Sequence, residues 1–442
     1  MSSDLISIAR SGASAARIAL DVTAQNIANA GTDGYVRRSV AMAEVSGSGM
    51  LYTQNDVSLH GVRVSGIVRN ADEFRLAEVR RTGSDLARVN AEVGALSNIE
   101  SALEQPKISS AIATFEASLQ GLKADPTNPA LRAVVLENAQ SVADALNAAA
   151  GGLDSARTAL QADAADGVSK LNQLSADLAK INTRLVRSSE GSSDQAALLD
   201  KRDSILKSMS EIAGVSVTIG AHRTAEVSLG GVALVTPDGA STVGVGVAAD
   251  GSLAFDVGGT GVAIVSGSLA GTATGLTQVN DARARLDDVA ATIIGAINGA
   301  QASGVALDGS AGQPLFGGTG AGDITMVATT GGAIATAPAG AGADSRNTGN
   351  LDTMIAALGG SNALRKFDAL LNDTSAAVAA RSVTRDALGV IASGAEGALA
   401  TQAGVSLDDE AANLLRFQQA FQASGRIMQV AKDLFDSIIS IN

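Results

Sequence analysis

His60 and His222 are the only histidines in 442 residues. Their isolation leaves no histidine pair at metal-ligand spacing and no partner for a triad, so each reads as a surface or strand-edge residue. Acidic clusters stand at Asp287-Asp288 and Asp408-Asp409-Glu410, where paired carboxylates could in principle do acid-base work. Ser406 followed three residues later by Asp409 is instead the pattern of a helix cap, and negative charge suits a helix amino terminus. Asp287 and Asp288 read as a solvated helix face. The run Gly317-Gly318-Thr319-Gly320-Ala321-Gly322 lacks the Gly-Lys-Ser/Thr of a phosphate cradle, and no Gly-x-Ser-x-Gly elbow occurs. Asp250-Gly251 and Asp308-Gly309 read as turns, not calcium ligands. No catalytic, cofactor-binding or metal-binding residues are expected, and the chain does not read as an enzyme. A remote alternative is a secreted enzyme using Asp250, Asp308 and Asp323 beside the Gly-rich loops.

Composition narrows the classes further. Aromatics make up only 2% of the chain and glycines number 49, so the 46% apolar fraction must be mostly small residues. A net charge of −13 argues against a nucleic-acid or anionic-membrane partner. Cysteine is absent, which removes disulfides, thiolate metal sites and thiol nucleophiles together. Asp4 and Arg10 have no apolar h-region of signal length between them, so no cleaved secretory signal is expected. The uncharged stretches 257–280 and 324–343 are too rich in Gly, Thr and Ser for lipid-facing helices.

The strongest patterning lies at the two ends. Leu407, Leu414, Phe421, Met428 and Phe435 recur every seventh residue, and a second register runs Ala420, Ile427, Leu434 and Ile441 with Phe417, Ala431 and Ile438 beside it. About half the circumference is apolar, too wide for a single partner helix. Leu5, Ile8, Gly12, Ala15, Ala19 and Val22 stripe the first helix at spacings of three and four, with mostly small side chains that permit close approach. The last helix would be roughly 50 Å long, and ordering such a pair alone is marginal against chain entropy.

Between the ends the pattern is nested. The first helix, with Ser3 as candidate cap, reads to about Asn29 and ends in a turn through Asp33 and Gly34. Residues 36–70 lean to strand, with Gly47, Gly49, Gly61 and Gly66 as punctuation. Long antiparallel helices then run to Ile212, split at Pro106, at Asp125-Pro126-Thr127-Asn128-Pro129 and at 188–193. From Gly214 strand alternation takes over, with Val243, Val245 and Val247 facing Leu253, Phe255 and Val257 across Asp250-Gly251. Helical spacing returns at Val279 to Ile297, loops and short strands fill 303–345, and helix resumes from about Asn350. The fold class is mainly α with a β-rich insert: coiled-coil-like paired terminal helices (1–38 with 400–442), a helical body with some strand near 40–70 (39–212 with 346–399), and an outer β-rich domain (213–345).

Residues 19–30, Ala-Leu-Asp-Val-Thr-Ala-Gln-Asn-Ile-Ala-Asn-Ala, closing in Gly34-Tyr35, resemble the amino-terminal signature of the bacterial flagellar rod, hook and hook-associated proteins. Residues 404–414 and 417–423 are similar to that family's carboxyl-terminal signature, with Phe417 and Phe421 where tyrosine is frequent and Asp33 where proline is frequent. Asp125-Pro126 with Arg132, residues 198–203, and Leu307-Asp308-Gly309 leading to Pro314-Leu315-Phe316 point to the hook-associated branch. The resemblance implies an extracellular structural subunit that forms a ring of identical copies at the hook-filament junction. Its implied neighbours are the hook protein and the next hook-associated protein on the filament side. It also implies type III export without a cleaved signal peptide, and an export chaperone. The assembly interface is expected at Leu5, Ile8, Ala15, Ala19, Val22, Asn26, Asn29, Tyr35, Leu407, Leu414, Phe417, Phe421, Met428, Leu434, Phe435, Ile438 and Ile441. Another axial subunit, a hook or distal rod protein, is the alternative.

Overall fold

A computed structural model describes residues 2–32, 34–46 and 59–440, with side chains described for 5–32, 34–44 and 61–437. Asp33, Gly47, Gly49 and Ile441 lie outside the described residues, as do the side chains of His60 and Ile438. Helix α1 (Ser2–Ala28) leads into a hairpin of β1 (Arg38–Ser46) and β2 (Leu59–Arg69), paired antiparallel with Val40 opposite Ile67 and Glu44 opposite Val62. The helix already includes Ser3, so that residue is not its cap.

The helical body follows as α2 (Glu73–Glu104), α3 (Ile108–Leu122), α4 (Pro129–Arg187) and α5 (Ser193–Ile212). The breaks fall where proline and turn residues stand. Asn128 caps α4 by accepting from the N–H groups of Ala130 and Leu131, with Pro129 in the first turn where no N–H is needed. At 59 residues α4 is roughly 90 Å long, and it serves two cores in turn. Its first half packs with α2, α3 and α6 around Phe115, Leu146 and Ile293; its second half packs with α5 and the strands around Leu171, Leu206 and Phe255.

Two small antiparallel sheets make the β region. One holds β3 (Val215–Ile219), β4 (Ala225–Leu229), β5 (Val232–Thr236) and β6 (Gly239–Ala240); the other holds β7 (Val243–Val247), β8 (Leu253–Val257) and β9 (Thr260–Val262). Val243, Val245 and Val247 pair with Val257, Phe255 and Leu253, the register the alternation requires.

Within the expected 213–345 unit the two sheets are followed by helix and then by two short antiparallel pairs, 304–305 with 337–338 and 316–317 with 325–326. Residues 268–302 form the 35-residue helix α6 (Ser268–Ala302), whose Leu276, Val279, Leu286, Ile293 and Ile297 are buried in the larger core. The physical reason is close approach: a β-carbon on Gly271 would lie 2.2 Å from the carbonyl oxygen of Arg88, so only glycine lets α6 sit this near α2. Loops carrying Leu315, Ile324 and Ile334 close the same core, and α7 (Gly349–Gly360) and α8 (Ala363–Ala403) return along it before α9 (Leu407–Ser440). Among the described residues, no helix is long and apolar enough to cross a membrane.

Candidate assembly interface

Helices α1 and α9 pack against each other, running antiparallel: Gly12 sits beside Ser424, while Arg37, just beyond α1, meets Glu410 in the first turn of α9. Small side chains set the approach. Ala9, Ala13, Ala15, Ala16, Ala19 and Val22 of α1 are buried, between α9 on one side and the β1–β2 hairpin on the other. The Ser11 hydroxyl reaches into the hairpin and accepts from the N–H of Val62 at 3.3 Å. On α9, Glu410 and Ala431 are buried and Leu414, Phe417, Ser424 and Met428 are half-buried, a stripe of spacing three and four that faces α1. The expected cap is present: the N–H of Asp409 donates to the Ser406 hydroxyl at 3.3 Å.

The rest of α9 has no packing partner among the described residues. Leu407, Leu415 and Val430 are 56, 58 and 58% exposed, and Phe421, Ile427, Leu434 and Phe435 are exposed at other angles around the helix, with Leu5 and Ile6 of α1 exposed near the far end. The residues expected at the interface therefore divide. Leu5, Leu407, Phe421, Leu434 and Phe435 are available to a neighbour; Ile8, Leu414, Phe417 and Met428 are half-buried. Ala15, Ala19, Val22 and Asn26 are already buried inside one chain. Leu415 and Val430 lie outside both sevenfold registers and were not singled out by them; on a helical wheel Val430 falls about 40° from Leu434, whereas Leu415 falls about 100° away.

Asn26, Asn29 and Tyr35 act on the foot of the helix pair. The buried Asn26 amide donates to the carbonyl of Arg38 at 2.8 Å and its oxygen accepts from the Arg38 N–H and from the Tyr35 hydroxyl, at 3.1 and 2.9 Å. Asn29 donates to the Gln25 carbonyl. The Arg38 guanidinium lies 4.9 Å from the centre of the Tyr35 ring and donates to Asp200 on α5 at 2.8 Å. Arg69 on β2 bridges Asp200 and Asp203, each at 2.8 Å, and the fully buried Arg202 joins Asp203 to Glu73 at the start of α2. Burial pushes the Asp200 carboxyl above its ordinary range even though Arg69 and Arg38 pull the other way. Burial likewise raises the Tyr35 phenol, against the pull of Arg38. This network fastens the terminal unit to the helical body, and sequence spacing gave no sign of it.

Elsewhere the chemistry-bearing residues act as scaffold. Asp250 and Asp308 each accept from the N–H and hydroxyl of a serine two residues on, which lowers their pKa and closes the turns. Asp323 gathers the N–H groups of Thr319 and Gly320, so the glycine run folds around its own carboxylate. Asp287 is more than a solvated position: it accepts from the Ala321 N–H at 2.7 Å and pairs with Arg283, anchoring that loop to α6. His222 is exposed. Arg132 is 1% exposed and donates to the carbonyls of Pro126, Gly331 and Ile334 and to Thr336 Oγ1, pinning the 331–336 loop to the start of α4. Among the described residues, no group of three or more His, Asp or Glu side chains could hold a metal.

Comparison with known proteins agrees with this architecture. Residues 95–316, half of the chain, match the flagellar hook-associated protein FlgK helical domain; 6–35 match the flagella basal body rod protein family, and 395–441 the FlgEFG carboxyl-terminal family. The chain is 24% identical to flagellar hook-associated protein 1 of Bacillus subtilis over 98% of this chain and 97% of that one. It is 26% identical to flagellar hook-associated protein 1 of Salmonella typhimurium over 49% of this chain and 39% of that one. The solved hook junction protein FlgK of Burkholderia pseudomallei shares the fold, with a TM-score of 0.50 and 22% identity over 54% of this chain and 46% of that one. The terminal signatures, the antiparallel helix pair they build and the helical body between them are those of a structural flagellar subunit, and the chain belongs to the flagellar hook-associated protein FlgK family.

Proposed function

We propose that copies of this chain assemble side by side as a ring at the junction between hook and filament, and that the open face of α9 is what neighbouring copies cover. The observation that carries this reading is the set of large apolar side chains, Leu407, Leu415, Phe421, Ile427, Val430, Leu434 and Phe435, left in water around a helix that α1 covers on one face alone. The relatives named as hook-associated protein 1 supply the place in the flagellum. The hook protein and the next hook-associated protein are the neighbours above and below. Export proceeds through the flagellar type III apparatus without a cleaved leader, with a chaperone holding the carboxyl-terminal region. The role is mechanical, and no step of chemistry is assigned to any residue.

Truncation of Ile438 to Asn442 tests the assembly half: incorporation into flagella should be lost while the body from 80 to 390 keeps its fold, and normal filaments on such cells would refute it. The matches of both ends to rod-protein families favour a second reading, a hook or distal rod subunit. Electron microscopy of a deletion strain separates the two. Loss of the junction leaves hooks without filaments and releases flagellin, whereas loss of a rod or hook subunit leaves no complete hook.

A further inference from the structure

Arg80 lies on the side of α2 that turns toward α5 and α8, and it makes neither a hydrogen bond nor an ion pair with any described residue. With Tyr35, Leu76, Lys207, Leu399 and Gly404 it lines a cavity of about 340 Å³ at the foot of the helix pair. The carboxylates around it are committed elsewhere. Asp203 holds Arg69 and Arg202, Glu73 holds Arg202, and Glu396 holds Lys207 at 2.7 Å. A guanidinium carries five N–H donors in a planar fork, and half-burying it without an acceptor is unfavourable. Burial accordingly pulls the Arg80 pKa down, with Asp203 and Glu73 only partly offsetting it.

We propose that this cleft is a docking site for a carboxylate side chain of a second copy of the chain, which enters between α2, α5 and α8 and supplies the acceptor that Arg80 lacks. Charge favours that occupant: the chain carries 45 acidic against 32 basic residues, so an adjoining copy has carboxylates in excess of cations to offer. Position favours it too, since Gly404 and Tyr35 place the cleft at the base of α1 and α9, the elements that the proposed assembly brings against other copies. The cavity is several times the volume of a carboxylate group, and a planar guanidinium accepts one in a paired, two-bond geometry. The inference rests on the assembly reading and extends it from an apolar contact to a charged one that would fix register.

The test uses flagella isolated from cells that carry Arg80→Gln or Arg80→Lys in place of the unsubstituted chain. The purified Arg80→Gln chain should melt within about 2 °C of the unsubstituted one, yet leave isolated flagella roughly tenfold faster on acid or heat treatment, because lost charged contacts act on dissociation. Zero-length carbodiimide coupling of Arg80→Lys flagella should yield a dimer whose peptide map joins position 80 to an Asp or Glu of another copy. Three results would overturn the cleft alone: release at the unsubstituted rate, coupling confined within single chains, or an Arg80→Gln chain that melts far lower on its own. Absence of the unsubstituted chain from flagella would overturn the assembly reading as well.

Discussion

A β-carbon placed on Gly12 would stand 3.0 Å from the hydroxyl oxygen of Ser424, so the first and last helices touch where one has no side chain and the other a rotatable one. Gly12→Ala should be tolerated: the methyl presses on a hydroxyl that can give way, and the helix gains propensity, leaving stability within about 1 kcal/mol of the original. Gly12→Leu should separate α1 from α9 and cost about 2–3 kcal/mol. Urea melts followed by far-ultraviolet circular dichroism read both.

Asn26→Ala removes a side chain that satisfies both backbone groups of Arg38 and the Tyr35 hydroxyl. The buried Arg38 N–H and carbonyl are then left without their partners, and the loss should reach about 2–4 kcal/mol. A urea midpoint that hardly moves would mean water replaces the amide there.

Tyr35 gives a pH dependence of known sign. Its folded pKa is raised, so stability is intact below the ordinary tyrosine value of about 10 and is lost as pH climbs from there through the folded value. The unfolded chain ionises first and is favoured. Tyr35→Phe should flatten the fall in stability above pH 10, measured by thermal melts in a pH series, and the difference in absorbance near 295 nm between the two chains should show Tyr35 ionising above the ordinary value.

Asp323 behaves in the opposite direction. Its pKa is lowered, above all by the N–H groups of Thr319 and Gly320, so the loop's ordering is present above the ordinary aspartate range and lost as pH falls through the folded value. The protection factors of the Thr319 and Gly320 amides should fall in Asp323→Ala, and should fall likewise in the unsubstituted chain in acid once the slower intrinsic exchange at low pH is divided out.

Phe421→Ser with Leu434→Ser should leave the melting of the isolated chain nearly unchanged, since both side chains already face water. Incorporation into flagella should collapse. A double variant that assembles normally would remove α9's open face from the interface.

What could be read in advance followed local rules. Pro106, the proline and Asx turn at 125–129 and the Ser/Gly stretch at 188–193 place the helix breaks, and alternating valines fix the β7–β8 register. The apolar spacing at 279–297 marks the body of α6, while its first turns, from Ser268, carry glycines that lower helix propensity, one of which, Gly271, admits the backbone of α2. The Arg38–Asp200 contact joins residues 162 positions apart, and Asp287 serves a backbone N–H that carries no sequence signature. Of the interface, the stripe on α9 was visible, but a period alone does not say which half of a helix its own chain will occupy.

Because α9 follows α1 only after the whole body has been made, α1 has just the β1–β2 hairpin to rest on until α9 leaves the ribosome. A chain broken off by a stalled ribosome keeps one alanine-rich flank of α1 uncovered, exposed to proteases and chaperones. Completed copies hide that flank; aborted ones display it.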